Sequence, residues 1–179
     1  MRVRDHVLLS TAGAALVAPW VGRGAVGLWA GGILIDADHY LWFCLHQRRL
    51  NPLEAVRFFD AAAAPQHPAT RALHSPVALF ALLLLGARRR RFLPVALGMG
   101  LHVAVDVRHE ARMHDARGAA LERDDFSCQA CGLRGADVGT HLQSQPRLLP
   151  SYRREHLISL CGPCHETAHA RATGSASWV

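Results

Sequence analysis

Two C-x-x-C pairs constrain this chain more than anything else in it. They read Cys128-Gln-Ala-Cys131 and Cys161-Gly-Pro-Cys164, and His165 follows the second directly. Four thiolates on two tight knuckles close a tetrahedral shell around one Zn²⁺. Such binding contributes roughly 10–16 kcal/mol in small zinc modules, as much as a whole domain's net stability. A segment this short and Gly-rich is therefore expected to fold on a metal rather than on its own apolar core. Disulfides are the other reading of the four cysteines. Close C-x-x-C knuckles suit a metal better, and nothing else in the chain looks like a secreted disulfide scaffold. Cys44, the fifth cysteine, lies in an aromatic run and reads as core.

The 179 residues, half of them apolar, suffice for one medium domain and a small appended one. Every basic residue is Arg, and the net charge is +6. The excess is uneven: residues 1–115 carry 13 Arg against 8 acids, and residues 116–179 carry 7 against 6. The cysteine segment is thus no strongly basic nucleic-acid patch. Arg clusters in the apolar half are of the kind that flanks membrane segments.

Four apolar runs occupy the first part: Val7 to Gly22, Gly24 to Ile35, Ala72 to Ala87 and Phe92 to Val105. Their wealth of Ala, Gly and Leu predicts helices rather than strands. The first run follows two Arg as a signal peptide would, but Trp20-Val21-Gly22 makes a poor cleavage site. None of the runs reaches the ~20 residues of a straight span, though some approach the lower limit of about 17. The Arg88–Arg91 cluster does not settle an orientation. A helical bundle embedded in or lying on a membrane is expected, with a soluble bundle as the alternative. Between the runs, a polar, Pro-containing stretch runs from His46 to about Thr70, and within it Ala61 to Pro65 reads as linker or frayed helix. Arg108 to Gly118, charged and poorly periodic, reads as the domain boundary.

Ionisable residues sit at the ends or inside these apolar runs, where they are costly unless paired or metal-bound. His102 and Asp106 are four apart, and Asp36 and His39 are three apart, so helices put each pair on one face. His6 precedes the first run, Asp38 lies beside His39, and His74 interrupts the third run. Carboxylate with imidazole suits Zn²⁺, Mn²⁺ or a two-metal centre that activates water. Taken singly, each reads as a satisfied buried His or a helix cap; four separate segments contributing them favours metal.

Asp5-His6, Ile35-Asp-Ala-Asp-His39, Leu73-His74-Ser75 and His102-Val-Ala-Val-Asp106, in that order, resemble the membrane-bound metal-dependent hydrolases of bacterial inner membranes. The likeness covers most of residues 5–106 and implies a metal-dependent hydrolase without naming a substrate. A departure is the His-Arg expected ahead of the His-Ser pair, for which His67 and Arg71 are displaced substitutes.

Residues 120–170, with Arg123-Asp-Asp-Phe-Ser-Cys and His156-Leu-Ile-Ser-Leu-Cys-Gly-Pro-Cys-His leading to His169, resemble an HNH endonuclease domain. That resemblance implies two short strands and a helix gripping a catalytic divalent metal (Mg, Mn or Zn) beside a structural Zn. His165 and His169 match the family's metal ligands. Two alignments of the strand remain open. Either His141 is the general base and Thr140 stands where a ligand belongs, or Gln143 and Ser144 occupy the catalytic pair and no base remains. His156 stands where the family has Asn.

The expected protein is mainly α. A membrane-associated, hydrolase-like helical bundle spans 1–115, a zinc-bound ββα HNH-like domain spans 116–172, and 173–179 form a disordered tail. Expected function is metal-dependent hydrolysis, foremost of a phosphodiester. The alternative is an inactive HNH-type module that binds nucleic acid or a partner, any hydrolysis then falling to the N-terminal His/Asp set. The zinc domain is expected on the cytoplasmic side of the inner membrane.

Overall fold

The computed structural model describes residues 3–60, 68–143 and 151–173. The linker reading at 61–65, His67, Ser144 and the tail beyond Thr173 lie outside the described residues. The chain is mainly helical with one two-stranded sheet, and it divides into two compact units, Met1–Val107 and Arg108–Val179.

The first unit is built from α1 (Val3–Val21), α2 (Gly24–Leu34), α3 (Ala37–Gln47), α4 (Pro52–Asp60), α5 (Pro76–Arg88) and the first half of α6 (Leu93–Arg123). Chain punctuation follows from local chemistry. Gly22, at φ +53°, caps α1 in a left-handed conformation that glycine adopts without strain. Ser75 accepts from Ala78 N at 3.2 Å and Pro76 follows it, the pattern of a strong helix start. α4 was not anticipated: part of the polar stretch that begins at His46 folds as a helix because Phe58 packs against Phe43 of α3 and against Phe59.

The expected transmembrane helix is absent: among the described residues no helix is long and apolar enough to cross a membrane. The causes are visible in each. α2 and α5 have 11 and 13 residues, short of a span. α1 has 19 but contains Asp5, His6 and Pro19. α6 is long, yet charged residues crowd it from Asp106 onward, so Arg108 to Gly118 continues the helix instead of interrupting it.

α2 and α6 meet backbone to backbone. A Cβ built on Gly31 would lie 2.1 Å from the Val95 carbonyl oxygen, and one on Gly98 would lie 2.1 Å from that of Leu28. Only glycine fits such a crossing. It brings His102 of α6 up to the end of α2, where the first unit's polar cluster forms.

In the second unit, β1 (Val138–Leu142) pairs antiparallel with β2 (Leu157–Cys161), and α7 (Gly162–Thr173) follows β2 directly. Met113, Ala116 and Ala120 of α6 bury Leu157, while Val138 and Leu160 pack with Cys128 and Cys161. Asp124 pins the middle of β2. It pairs with Arg123 at 2.7 Å and accepts from Ser159 N at 3.1 Å. The guanidinium and this amide outweigh burial and hold its carboxyl down at about 2. With the folded pKa below the unfolded one, this stabilisation is present above about pH 4 and disappears as pH falls through about 2. Asp124→Asn should cost about 2 kcal/mol and flatten the acid limb of the unfolding curve, read by circular dichroism between pH 2 and 5.

Candidate metal centres

The four cysteines of the paired knuckles converge, their sulfurs all within 4.8 Å of one another. Cys131 Sγ and Cys161 Sγ are 3.6 Å apart. A tetrahedral Zn–S shell with bonds of ~2.3 Å has edges of about 3.8 Å, so the spacing is that of a zinc site. A disulfide would need ~2.05 Å, and all five cysteines are free. The knuckle geometry is local: Gly132, at φ +79°, lets its amide reach Cys128 O at 2.8 Å, and Cys128 N donates to Leu133 O at 2.7 Å. Cys161 closes β2, and Cys164 lies in the first turn of α7. The amides of Cys161, Ala130 and Cys131 lower the Cys128 thiol to about 6, whereas neighbouring Cys161, Cys128 and Cys131 push Cys164 up to about 12. Four crowded sulfurs cannot all ionise alone; a divalent cation among them removes the conflict.

Beside this shell His141, His165 and His169 form a second cluster, with one ring nitrogen from each within 4.8 Å of the others. Ring centroids are 5.0, 4.8 and 4.7 Å apart, with each pair close to perpendicular. Burial first, and the neighbouring imidazoles second, lower His141 and His165 below the usual histidine value. Neutral imidazole is the form that binds metal. His141 Nδ1 is buried without a hydrogen-bond partner, which costs about 1–3 kcal/mol unless a cation occupies it. His141 pairs with Ile158 across the ladder, so Thr140, paired with Ser159, points to the opposite face. Thr140 therefore does not complete this cluster. His156 Nδ1 is likewise buried and unpartnered, so His156 does not orient His141 as the family's Asn would.

All seven N-terminal candidates also come together. Three overlapping sets form: His6 with His102 and Asp106, Asp36 with His74 and His102, and Asp38 with His39 and His74. His74 Nε2 and His102 Nε2 are 3.3 Å apart. Asp36 Oδ1 lies 3.4 Å from the first and 3.6 Å from the second. Asp106 Oδ2 lies 4.0 and 3.4 Å from them, and its Oδ1 is 3.2 Å from His6 Nε2. Imidazole and carboxylate ligands at ~2.1 Å from a cation stand about 3–3.5 Å apart, so Asp36, His74 and His102 come near that spacing, with Asp106 close to it on the His102 side.

The electrostatics agree. Burial alone would lower His74, but Asp36 and Asp38 outweigh it and raise it to about 9. His102 is raised by Asp106 and Asp36 against burial, and Asp106 and Asp38 are held well below the usual carboxylate range by their histidines. Without a cation, protons on the imidazoles offset the carboxylates. Binding a cation must displace them, so affinity should rise with pH through about 9, measurable by titrating Mn²⁺ at pH 6 and pH 9.

Sequence reading missed the Gly32 carbonyl, which receives His102 Nδ1 at 2.8 Å, because main-chain acceptors leave no mark in a sequence. The glycines beside it were the available hint. No family model, curated protein or solved structure matches this chain.

Proposed function

We propose that this chain is a metal-dependent hydrolase that cleaves a phosphodiester with cation-activated water in its helical unit, and carries an HNH-like zinc module behind it. The observation that supports this is the convergence of Asp36, His74, His102 and Asp106, from three separate stretches of sequence, to ligand spacing. A divalent cation held there lowers the pKa of its water and polarises a phosphoryl oxygen. Asp38 and the Gly32 carbonyl fix the two imidazoles, and the largely buried setting excludes bulk water from them. Hydrolysis of bis(p-nitrophenyl) phosphate with Mn²⁺ tests the reading. Activity should fall at least ~100-fold in Asp36→Asn and His102→Gln, a barrier change of about 2.7 kcal/mol; undiminished turnover in both would sink it.

A second reading is favoured by the histidine trio. In the HNH pattern His165 and His169 hold a cation (Mg²⁺, Mn²⁺ or Zn²⁺) against a nucleic-acid phosphate, with His141 acting on the water or joining as a third ligand. Nicking of supercoiled plasmid, abolished by His169→Ala and untouched by Asp36→Asn, would assign cleavage to this unit. No nicking by a zinc-loaded, folded protein would leave the module to binding of nucleic acid or a partner.

The membrane belongs to this proposal as a surface rather than a span. Trp20 and Val77 are each 78% exposed, and Leu45 is 75% exposed. Exposed apolar side chains in such number, with Arg88–Arg91 nearby in sequence, suit an anionic lipid face. We place the protein at the bacterial inner membrane with the zinc unit on the cytoplasmic side. It should float with phosphatidylglycerol vesicles and pellet with vesicles of phosphatidylcholine alone in high salt.

A further inference from the structure

We infer that the helical unit holds a single divalent cation on His74 Nε2, His102 Nε2, Asp36 Oδ1 and Asp106 Oδ2, and that Asp38, His6 and His39 are not ligands. This rests on the metal-dependent reading above and deepens it by dividing seven chemically similar residues into ligands and supports.

Of the three overlapping sets, the middle one shares His102 with the first and His74 with the third, so it cannot be filled together with either. The first and third share no residue, and what decides between them is the hydrogen bonding of each side chain. Each imidazole has one lone pair to give once its other nitrogen is bonded. His102 Nδ1 lies 2.8 Å from the Gly32 carbonyl oxygen, which only accepts. Nδ1 therefore carries the hydrogen, and Nε2 is left with its lone pair. His74 Nδ1 faces Asp38 Oδ2 at 3.3 Å, which fixes the same tautomer. The two Nε2 atoms then face each other across 3.3 Å. Without a cation a proton lies between them; a cation that displaces it meets both lone pairs at once. Asp36 Oδ1 is within 3.6 Å of both, and Asp106 Oδ2 is within 4.0 Å of both.

Asp38 is excluded by its own hydrogen bonds. Its Oδ1 accepts from His39 N at 2.7 Å and meets His39 Nδ1 at 2.7 Å. Its Oδ2 accepts from Leu73 N at 2.9 Å and meets His74 Nδ1 at 3.3 Å. A carboxylate has about four lone-pair positions, and all are taken. Asp38 is thus a positioning residue, reaching the cation only through His74. His6 Nε2 stands 3.2 Å from Asp106 Oδ1, the oxygen turned away from the imidazole pair. Its ring stacks on His102 with centroids 3.9 Å apart, so it clamps one ligand and backs another. His39 commits Nδ1 to Asp38 at 2.7 Å, and the same nitrogen is 4.0 Å from Asp36 Oδ1, so it supports both carboxylates from the side.

The test is Mn²⁺ binding followed by electron paramagnetic resonance, on the full zinc-loaded chain carrying His165→Ala and His169→Ala to remove the other imidazole site. One uncoupled Mn²⁺ per chain is expected. Asp36→Asn, His74→Gln, His102→Gln and Asp106→Asn should each abolish it. Asp38→Asn and His6→Ala should keep one Mn²⁺ per chain with affinity about 10–100-fold weaker, and His39→Ala should change it least. Far-UV circular dichroism establishes that each variant is folded, and the near-isosteric changes at the ligands keep the packing. Two exchange-coupled Mn²⁺ per chain would overturn the assignment. So would loss of the ion in His6→Ala or His39→Ala, or a ligand-like loss in Asp38→Asn. Any of these leaves a metal-dependent hydrolase standing. No Mn²⁺ bound by the folded parent overturns both. One Mn²⁺ with the expected pattern but no phosphodiester turnover supports this inference and sinks only the proposed reaction.

Discussion

Stripping zinc from the second unit should unfold it. β1 and β2 are five residues each, and the buried residues around them include two of the cysteines, Cys128 and Cys161. Around the knuckles themselves, Cys128, Val138, Leu160 and Cys161 make a small apolar cluster, and the Met113, Ala116, Ala120 and Leu157 cluster packs at the start of β2, against an ordering cost of ~1–2 kcal/mol per residue. A metal on the four cysteines would supply the difference, about 10–16 kcal/mol for sites of this kind. Cys161→Ser removes a ligand at the junction of β2 and α7, and the expected result is loss of both the strand pairing and the α7 helix. Far-UV circular dichroism after chelation, with zinc release followed by a chromogenic chelator, measures both together. Retention of the α7 signal in zinc-free protein would contradict this. The histidine trio should disperse in the same step, since β1 and α7 supply its members.

Gly98→Ala, like Gly31→Ala on the facing helix, should be strongly damaging to the first unit. The added methyl would lie 2.1 Å from the Leu28 carbonyl oxygen, an atom of a helical backbone that cannot rotate away. α2 and α6 must separate, which costs about 3 kcal/mol or more when the obstruction is main chain. Separation also pulls His102 Nδ1 from the Gly32 carbonyl, so Mn²⁺ affinity should fall with stability. Gly100→Ala is the matched control: its nearest neighbour is the tip of Leu79 at 3.8 Å, and it should stay within about 0.5 kcal/mol of the parent. Thermal unfolding of the three proteins gives the comparison.

The three candidate metal clusters were legible in the sequence as residue types. Spacing alone named the four cysteines, because a C-x-x-C knuckle is a local object whose sulfurs must meet. The i, i+4 spacing likewise put His165 with His169 and His102 with Asp106 on common helix faces. What spacing could not reveal was the role of each residue. Asp36 and Asp38 are chemically alike and two apart, yet one faces the imidazole pair and the other supports it from behind. Whether Thr140 or His141 turned toward α7 depended on strand register, and a shift of one residue would have exchanged them.

The membrane expectation shows the other limit. Apolar composition was read correctly as helix, but the Asp36 junction and Ser75-Pro76 kept α2 and α5 below a span, while polar residues within α1 and α6 kept those two from being apolar enough. α4 escaped notice because its burial depends on aromatic partners in α3.

By itself the sequence determined which side chains were present to hold cations, and where some helices start and stop, as at Gly22 and Ser75-Pro76, since both follow from residue chemistry within a few positions. Only the tertiary structure decided which of those side chains share a point in space. That depends on two glycines letting helices touch and on the pairing of β1 with β2. Such contacts join residues far apart in the chain, and no local pattern encodes them.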